Sequence, residues 1–158
     1  MKPITYSMQF RGSVGETAPG HLEGVLTAPS SNQVTTIGRD GVEGRFLPAS
    51  GGDARCVFLL SLAADGSFDR SGRISFGRGN AIWFRTIGRG SVAPSADPHL
   101  SHGTAMCEIE RGEGRFEGAS GRITSNFFLS DSGEVTDNHF GVVFLDGRND
   151  EREERDVD

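Results

Sequence analysis

Gly112-Glu113-Gly114-Arg115-Phe116-Glu117-Gly118-Ala119-Ser120-Gly121 sets four glycines around a single phenylalanine. A dinucleotide-binding fingerprint would need glycine where Glu117 stands, and a helix after it to present amide groups to a pyrophosphate. The sequence offers neither. The spacing suits tight turns and bulges, where glycine takes positive φ without strain, with Phe116 as a hydrophobic plug between them. Glycine is abundant throughout, 23 of 158 residues, about twice the usual share. With only 6 prolines beside them, the chain falls short of low complexity, and a folded protein with many turns is expected.

On both sides of this stretch apolar and polar residues alternate. Ile4, Tyr6, Met8 and Phe10 alternate with Thr5, Ser7, Gln9 and Arg11, the period of a strand with one buried face. The pattern predicts further strands over roughly 21–28, 33–38, 42–47, 55–63, 71–77, 80–92, 102–110, 114–118, 120–130 and 134–146. Turn signals separate them, among them Gly38-Arg39-Asp40-Gly41, Ser50-Gly51-Gly52-Asp53, Asp65-Gly66-Ser67, Gly77-Arg78-Gly79-Asn80 and Asp131-Ser132-Gly133. No stretch up to residue 145 has helical apolar spacing over a dozen positions. Short strands without helical crossovers favour an antiparallel sheet that closes on itself and so removes its edges; a sandwich is the second choice. The two prolines of Ser91-Val92-Ala93-Pro94-Ser95-Ala96-Asp97-Pro98-His99 predict the longest internal loop, over 91–101 near the barrel mouth.

The net charge of −6 argues against a surface built for phosphate backbones, so no nucleic-acid partner is expected. Residues 146–158 hold seven acids and three arginines, four of those six net negative charges, and 147–158 read as a charged, disordered tail behind a domain of residues 1–146. No apolar run nears the length of a membrane span and no signal-peptide core follows Met1, so the expectation is a cytoplasmic protein without a membrane partner. Cys56 and Cys107 stand apart and outside any CxxC pair, which predicts free thiols.

The Gly-x-Gly-x-Phe-x-Gly-x-x-Gly stretch resembles the hairpin before the last two strands of the allene oxide cyclase and dirigent-protein superfamily. Ser75-Phe76-Gly77 before Ala81-Ile82-Trp83 looks like that family's Phe-Gly and following strand, and Arg122-Ile123-Thr124 with 134–146 is similar to its closing pair. The likeness spans roughly residues 55–146. It implies an all-β, single antiparallel eight-stranded barrel, calycin-like, with a lumen for a hydrophobic or aromatic small molecule. The implied activity is that of an isomerase or cyclase directing ring closure or stereochemistry; a carrier or a lyase on the same scaffold is the alternative. No cofactor is implied, and a homodimer or homotrimer is compatible. Cys56, in Arg55-Cys56-Val57-Phe58-Leu59, sits where the cyclases carry a lumen cysteine, whereas their N-terminal glutamate has no counterpart before Glu16.

Asp137 and His139, two apart on the last strand, share a face, and a carboxylate can orient an imidazole as a general base. The opposite face, Asn138 and Phe140, is equally apolar, so either could line the lumen. Arg85, between Trp83 and Ile87 on one face of its strand, is a snorkelling surface charge or a receptor for carboxylate, enolate or phenolate. The candidate catalytic set is Cys56, Arg85, His102, Asp137 and His139. The candidate ligand-binding set is Trp83, Phe84, Met106, Glu108, Asn126, Phe128, Asn138 and Phe140. His99 and His102 fall on opposite faces of an extended strand, so no metal site is expected. Arg39, Arg45, Arg70, Arg73, Arg78 and Arg89 read as solvated turn charges.

Overall fold

The computed structural model describes residues 3–146; the segment 147–158, expected to be a disordered tail, lies outside the described residues. Nine strands follow one another: β1 (Pro3–Ala18), β2 (His21–Gly38), β3 (Gly41–Leu62), β4 (Ser67–Phe76), β5 (Ala81–Thr86), β6 (Gly90–Pro94), β7 (Leu100–Glu113), β8 (Ser120–Ser130) and β9 (Glu134–Phe144). All pairings are antiparallel. β1-β2-β3-β4-β5-β7-β8-β9 closes back on β1 as an eight-membered ring. β5 and β6 occupy one place in it, both lying between β4 and β7, as a single strand broken at Ile87–Arg89 where Gly88 takes φ 63°. The ring has the expected closed form, with its sheet edges satisfied by pairing.

Several local expectations change. Residues 114–118, predicted as strand, contain a short 3-10 turn over Gly114–Phe116 with Gly114 and Gly118 at positive φ. The loop predicted over 91–101 is mostly strand: Pro94 ends β6 opposite Ser101, and 95–99 make the turn. The Ser50-Gly51-Gly52-Asp53 signal marks no strand end. It is an irregularity inside β3, where the partner register jumps from Pro29↔Asp53 to Ser31↔Pro48. Beyond it the β2–β3 hairpin runs on as an arm outside the ring, and Ser7 of β1 hydrogen-bonds Gln33 on it.

Alternation decides what lies inside. Phe10, Leu26, Phe58, Phe68, Ile74, Ile82, Phe84, Ile123 and Phe127 fill the interior and are all but inaccessible. Strand glycines sit directly opposite inward rings: Gly24 faces Phe58, Gly90 faces Phe68, Gly103 faces Phe127 and Gly141 faces Tyr6. A Cβ at any of the four would overlap the facing ring. Each ring lies over the bare backbone of its neighbour strand, the packing by which aromatics rescue strand glycines. At one end Phe116 packs on Phe76 (ring centroids 5.3 Å) and Phe76 on Tyr6 (5.6 Å), so the glycine stretch closes that end as the expected plug. Among the described residues, no helix is long and apolar enough to cross a membrane.

Candidate functional site: a buried ionic cluster under an apolar cleft

Inward positions of a barrel this narrow are normally apolar, because an unpaired charge there loses its hydration. Here β4 and β9 each carry an inward charge. Asp137 and His139 are 0% and 1% exposed, and Arg70 is 3% exposed. Arg70 Nη1 donates to Asp137 Oδ2 at 3.1 Å. His139 Nε2 meets the same oxygen at 2.9 Å, and Ser125 Oγ donates to Asp137 Oδ1 at 2.6 Å. An ionised carboxylate only accepts, so Nε2 carries the proton in that bond. Burial alone would push the Asp137 carboxyl up; His139, Arg70 and Ser125 outweigh it and hold the group well below the usual carboxylate range.

The backbone explains why Arg70 is held. The β4–β5 ladder ends at Ser71↔Arg85. At the next step Thr86 Oγ1 accepts from Arg70 N (2.8 Å) and donates to Arg70 O (3.0 Å), substituting a side chain for the lost ladder bonds. The guanidinium then lies over the rings of Phe58 and Phe84, at 5.2 and 5.4 Å, a favourable placement for a desolvated cation. Its Nε and Nη2 have no oxygen or nitrogen acceptor, and His139 Nδ1 and the Tyr6 hydroxyl have no hydrogen-bond partner.

Opposite the plugged end, a narrow cavity of about 50 Å³ enters the ring between Val14, Leu22, Leu60, Leu62, Val92, Leu129 and Val135, reaching Phe58, Phe68 and Phe127. Arg70 is the single polar side chain among its lining residues.

Of the residues singled out from sequence, Cys56, Phe84, Asp137 and His139 face the interior. Burial pushes the Cys56 thiol up to about 12, so it is protonated at neutral pH and is no ready nucleophile. The other nine stand on the outer face. Arg85 pairs with Glu110 (3.7 Å). His102 meets Asn126 (2.9 Å) and stacks on Phe128. Trp83 lies between the guanidinium groups of Arg73 and Arg111. Gln9 bonds Asn138, while Met106, Glu108 and Phe140 are exposed to solvent. With His99 and His102 outside and His139 inside, the histidines do not converge, and no cluster among the described residues could hold a metal ion.

Arg70 corrects the reading of a solvated turn charge. Its parity was the available signal: Phe68, Arg70, Gly72 and Ile74 share one face of β4, and Phe68 and Ile74 identify that face as inward. Ser125, Asp137 and His139 also do not make a nucleophilic triad. Serine and histidine each bond a different carboxylate oxygen, so the imidazole is not placed to take the hydroxyl proton.

No family model and no curated protein matches the chain. Among solved structures it is similar to the pterocarpan synthase dirigent protein GePTS1 at 13% identity and TM-score 0.50, with 91% of this chain and 88% of that one covered. The pterocarpan synthase dirigent protein PsPTS1 is similar at 14% identity and TM-score 0.52, covering 91% of this chain and 96% of that one. Closed antiparallel ring, glycine-bounded plug and these likenesses agree: the chain has the dirigent-like β-barrel fold.

Proposed function

We propose that this barrel is a small-molecule scaffold: it takes an apolar or aromatic intermediate into the ring through the leucine-lined cleft and directs its cyclisation or stereochemistry. The supporting observation is the cleft itself, an apolar entrance at the end opposite the Phe116 plug. At about 50 Å³ it has room for part of a ligand, and Leu22, Leu62 and Leu129 at its rim change rotamer to admit the rest. Confinement between Phe58, Phe68 and Phe127 selects one folded conformer, and holding a reactive conformer lowers the barrier without a proton-transfer group. That mode suits this interior. Asp137 and His139 are sealed beneath the arginine, and an arginine does not exchange protons at neutral pH.

The same sealing favours a second reading, a carrier that binds without turnover. The two differ in product: a scaffold changes the stereochemical outcome when the intermediate is generated in its presence, and a carrier leaves it unchanged.

Binding itself is tested with cinnamyl alcohol, a neutral aromatic probe, and methyl-labelled protein. Resonances of Leu22, Leu60, Leu62, Leu129 and Val135 should shift while those of Val34, Ile37 and Val42 on the arm stay fixed. Shifts confined to the arm, or none, would remove the lumen from consideration.

A further inference from the structure

The guanidinium of Arg70 has one occupied edge and one unoccupied edge. Asp137 takes Nη1. Nε and Nη2, the two nitrogens without an oxygen or nitrogen acceptor, lie side by side on the other edge and point their N–H bonds in parallel. That is the fork that receives both oxygens of a carboxylate. Two buried donors with no acceptor better than the Cys107 sulfur are expensive, each forfeiting a strong hydrogen bond it would make in water. Such groups are rare in native interiors and call for a partner. The residue that carries them also lines the apolar cleft, with its guanidinium nitrogens buried just beneath the cleft surface.

Resting on the lumen-binding reading above, we propose that Arg70 is an anion receptor at the floor of the cleft, and that the ligand class is an apolar or aromatic molecule ending in a carboxylate. The hydrocarbon part lies between Leu22, Leu60, Phe68 and Leu129, and the carboxylate oxygens accept from Nε and Nη2. Cys107 stands beside the guanidinium, and burial raises its pKa, so it offers a neutral thiol, a weak acceptor that an oxyanion displaces. Asp137 takes only one edge of the guanidinium and is itself shared with His139, which leaves the other edge to a second acceptor. Arg70 acts here by binding and orienting; any bond-making on the ligand occurs in the apolar part of the cleft.

The test compares trans-cinnamate with cinnamyl alcohol and methyl cinnamate by calorimetric titration of the intact protein at pH 7. Cinnamate should bind at least about tenfold tighter than either neutral probe, the range of a charge-assisted hydrogen bond. In the Arg70→Met/Asp137→Asn double variant, which leaves neither charge behind, the three should bind within about twofold of one another. A reading that needs no variant is the Arg70 side-chain Nε–H resonance. It should move downfield with cinnamate and hold still with the alcohol. If the neutral probes bind as tightly as cinnamate, or the double variant keeps the preference, the anion-receptor role is wrong while lumen binding stands. If no probe binds the wild-type protein, lumen binding itself fails and the receptor role falls with it.

Discussion

Replacing Arg70 by methionine keeps the bulk of the side chain and removes its charge. The pair it forms with Asp137 is at 3.1 Å with both groups buried. At an effective dielectric constant of about 20, two unit charges at that distance attract by about 5 kcal/mol. Desolvation of both groups offsets much of this, so the intact pair adds little net stability over apolar residues of the same size. The single variant differs, because it leaves the Asp137 carboxylate buried with only His139 and Ser125. Breaking one side of such a pair costs about 3–5 kcal/mol, a fall in Tm of roughly 6–20 °C for a domain of this size. Asp137→Asn should fall in the same range, its stranded cation held in part by the Phe58 and Phe84 rings. The double variant strands neither charge and should recover most of the loss, returning to within about 2 kcal/mol of the parent. Urea denaturation of the four proteins closes the cycle. If the double variant loses the sum of the two single losses, Arg70 and Asp137 are not energetically coupled and the cluster described above is not the core of this barrel.

Acid should act through the same carboxyl. Its pKa is lowered in the folded state, so its stabilisation is complete above the unfolded value of about 3.9 and is lost as pH falls toward the folded one. The urea midpoint should therefore be level from pH 7 to about 5 and drop below about pH 4, with Asp137→Asn losing less on acidification; equal slopes in both proteins would contradict this. Cys56 and Cys107 are buried and protonated, so a disulfide exchange reagent at pH 8 should modify neither in the folded protein and both in denaturant. Rapid native labelling of Cys56 would show a reachable thiol. Gly103→Ala drives a methyl into the Phe127 ring and should cost about 1–3 kcal/mol by overpacking, whereas Gly44→Ala on the arm meets nothing within 4 Å and should leave Tm nearly unchanged.

The ring was legible because alternation survives in most strands and because the Gly112–Gly121 stretch has a family likeness. Its inside was less so. On β8 and β9 both faces carry phenylalanine: Phe127 is inward, while Phe128, Phe140 and Phe144 are 41%, 51% and 38% exposed, so hydrophobicity alone does not choose between the Asp137 face and the Asn138 face. Closure does, by setting Asp137 opposite Phe10 and Phe127. Arg70 was missed for a related reason. Ser67-Phe68-Asp69-Arg70-Ser71-Gly72-Arg73 has one apolar residue in seven and reads as a turn running into a strand at 71, whereas β4 begins at Ser67 because β3 and β6 supply partners on either side.

The glycine surplus shows how one feature serves both fold and site. Part of it makes turns, as composition suggested. Gly24, Gly90 and Gly103 do something else: each takes an aromatic ring from the neighbouring strand against its backbone. Those three rings, Phe58, Phe68 and Phe127, are also walls of the cleft above Arg70. A side chain at any of the three glycines would lift its ring off the strand and into the space a ligand would use. The residues with no side chain therefore set the width of the cleft, and Gly103→Ala should weaken cinnamate binding as well as stability. A variant with lowered Tm and undiminished affinity would separate the width of the cleft from the glycine–aromatic pairs.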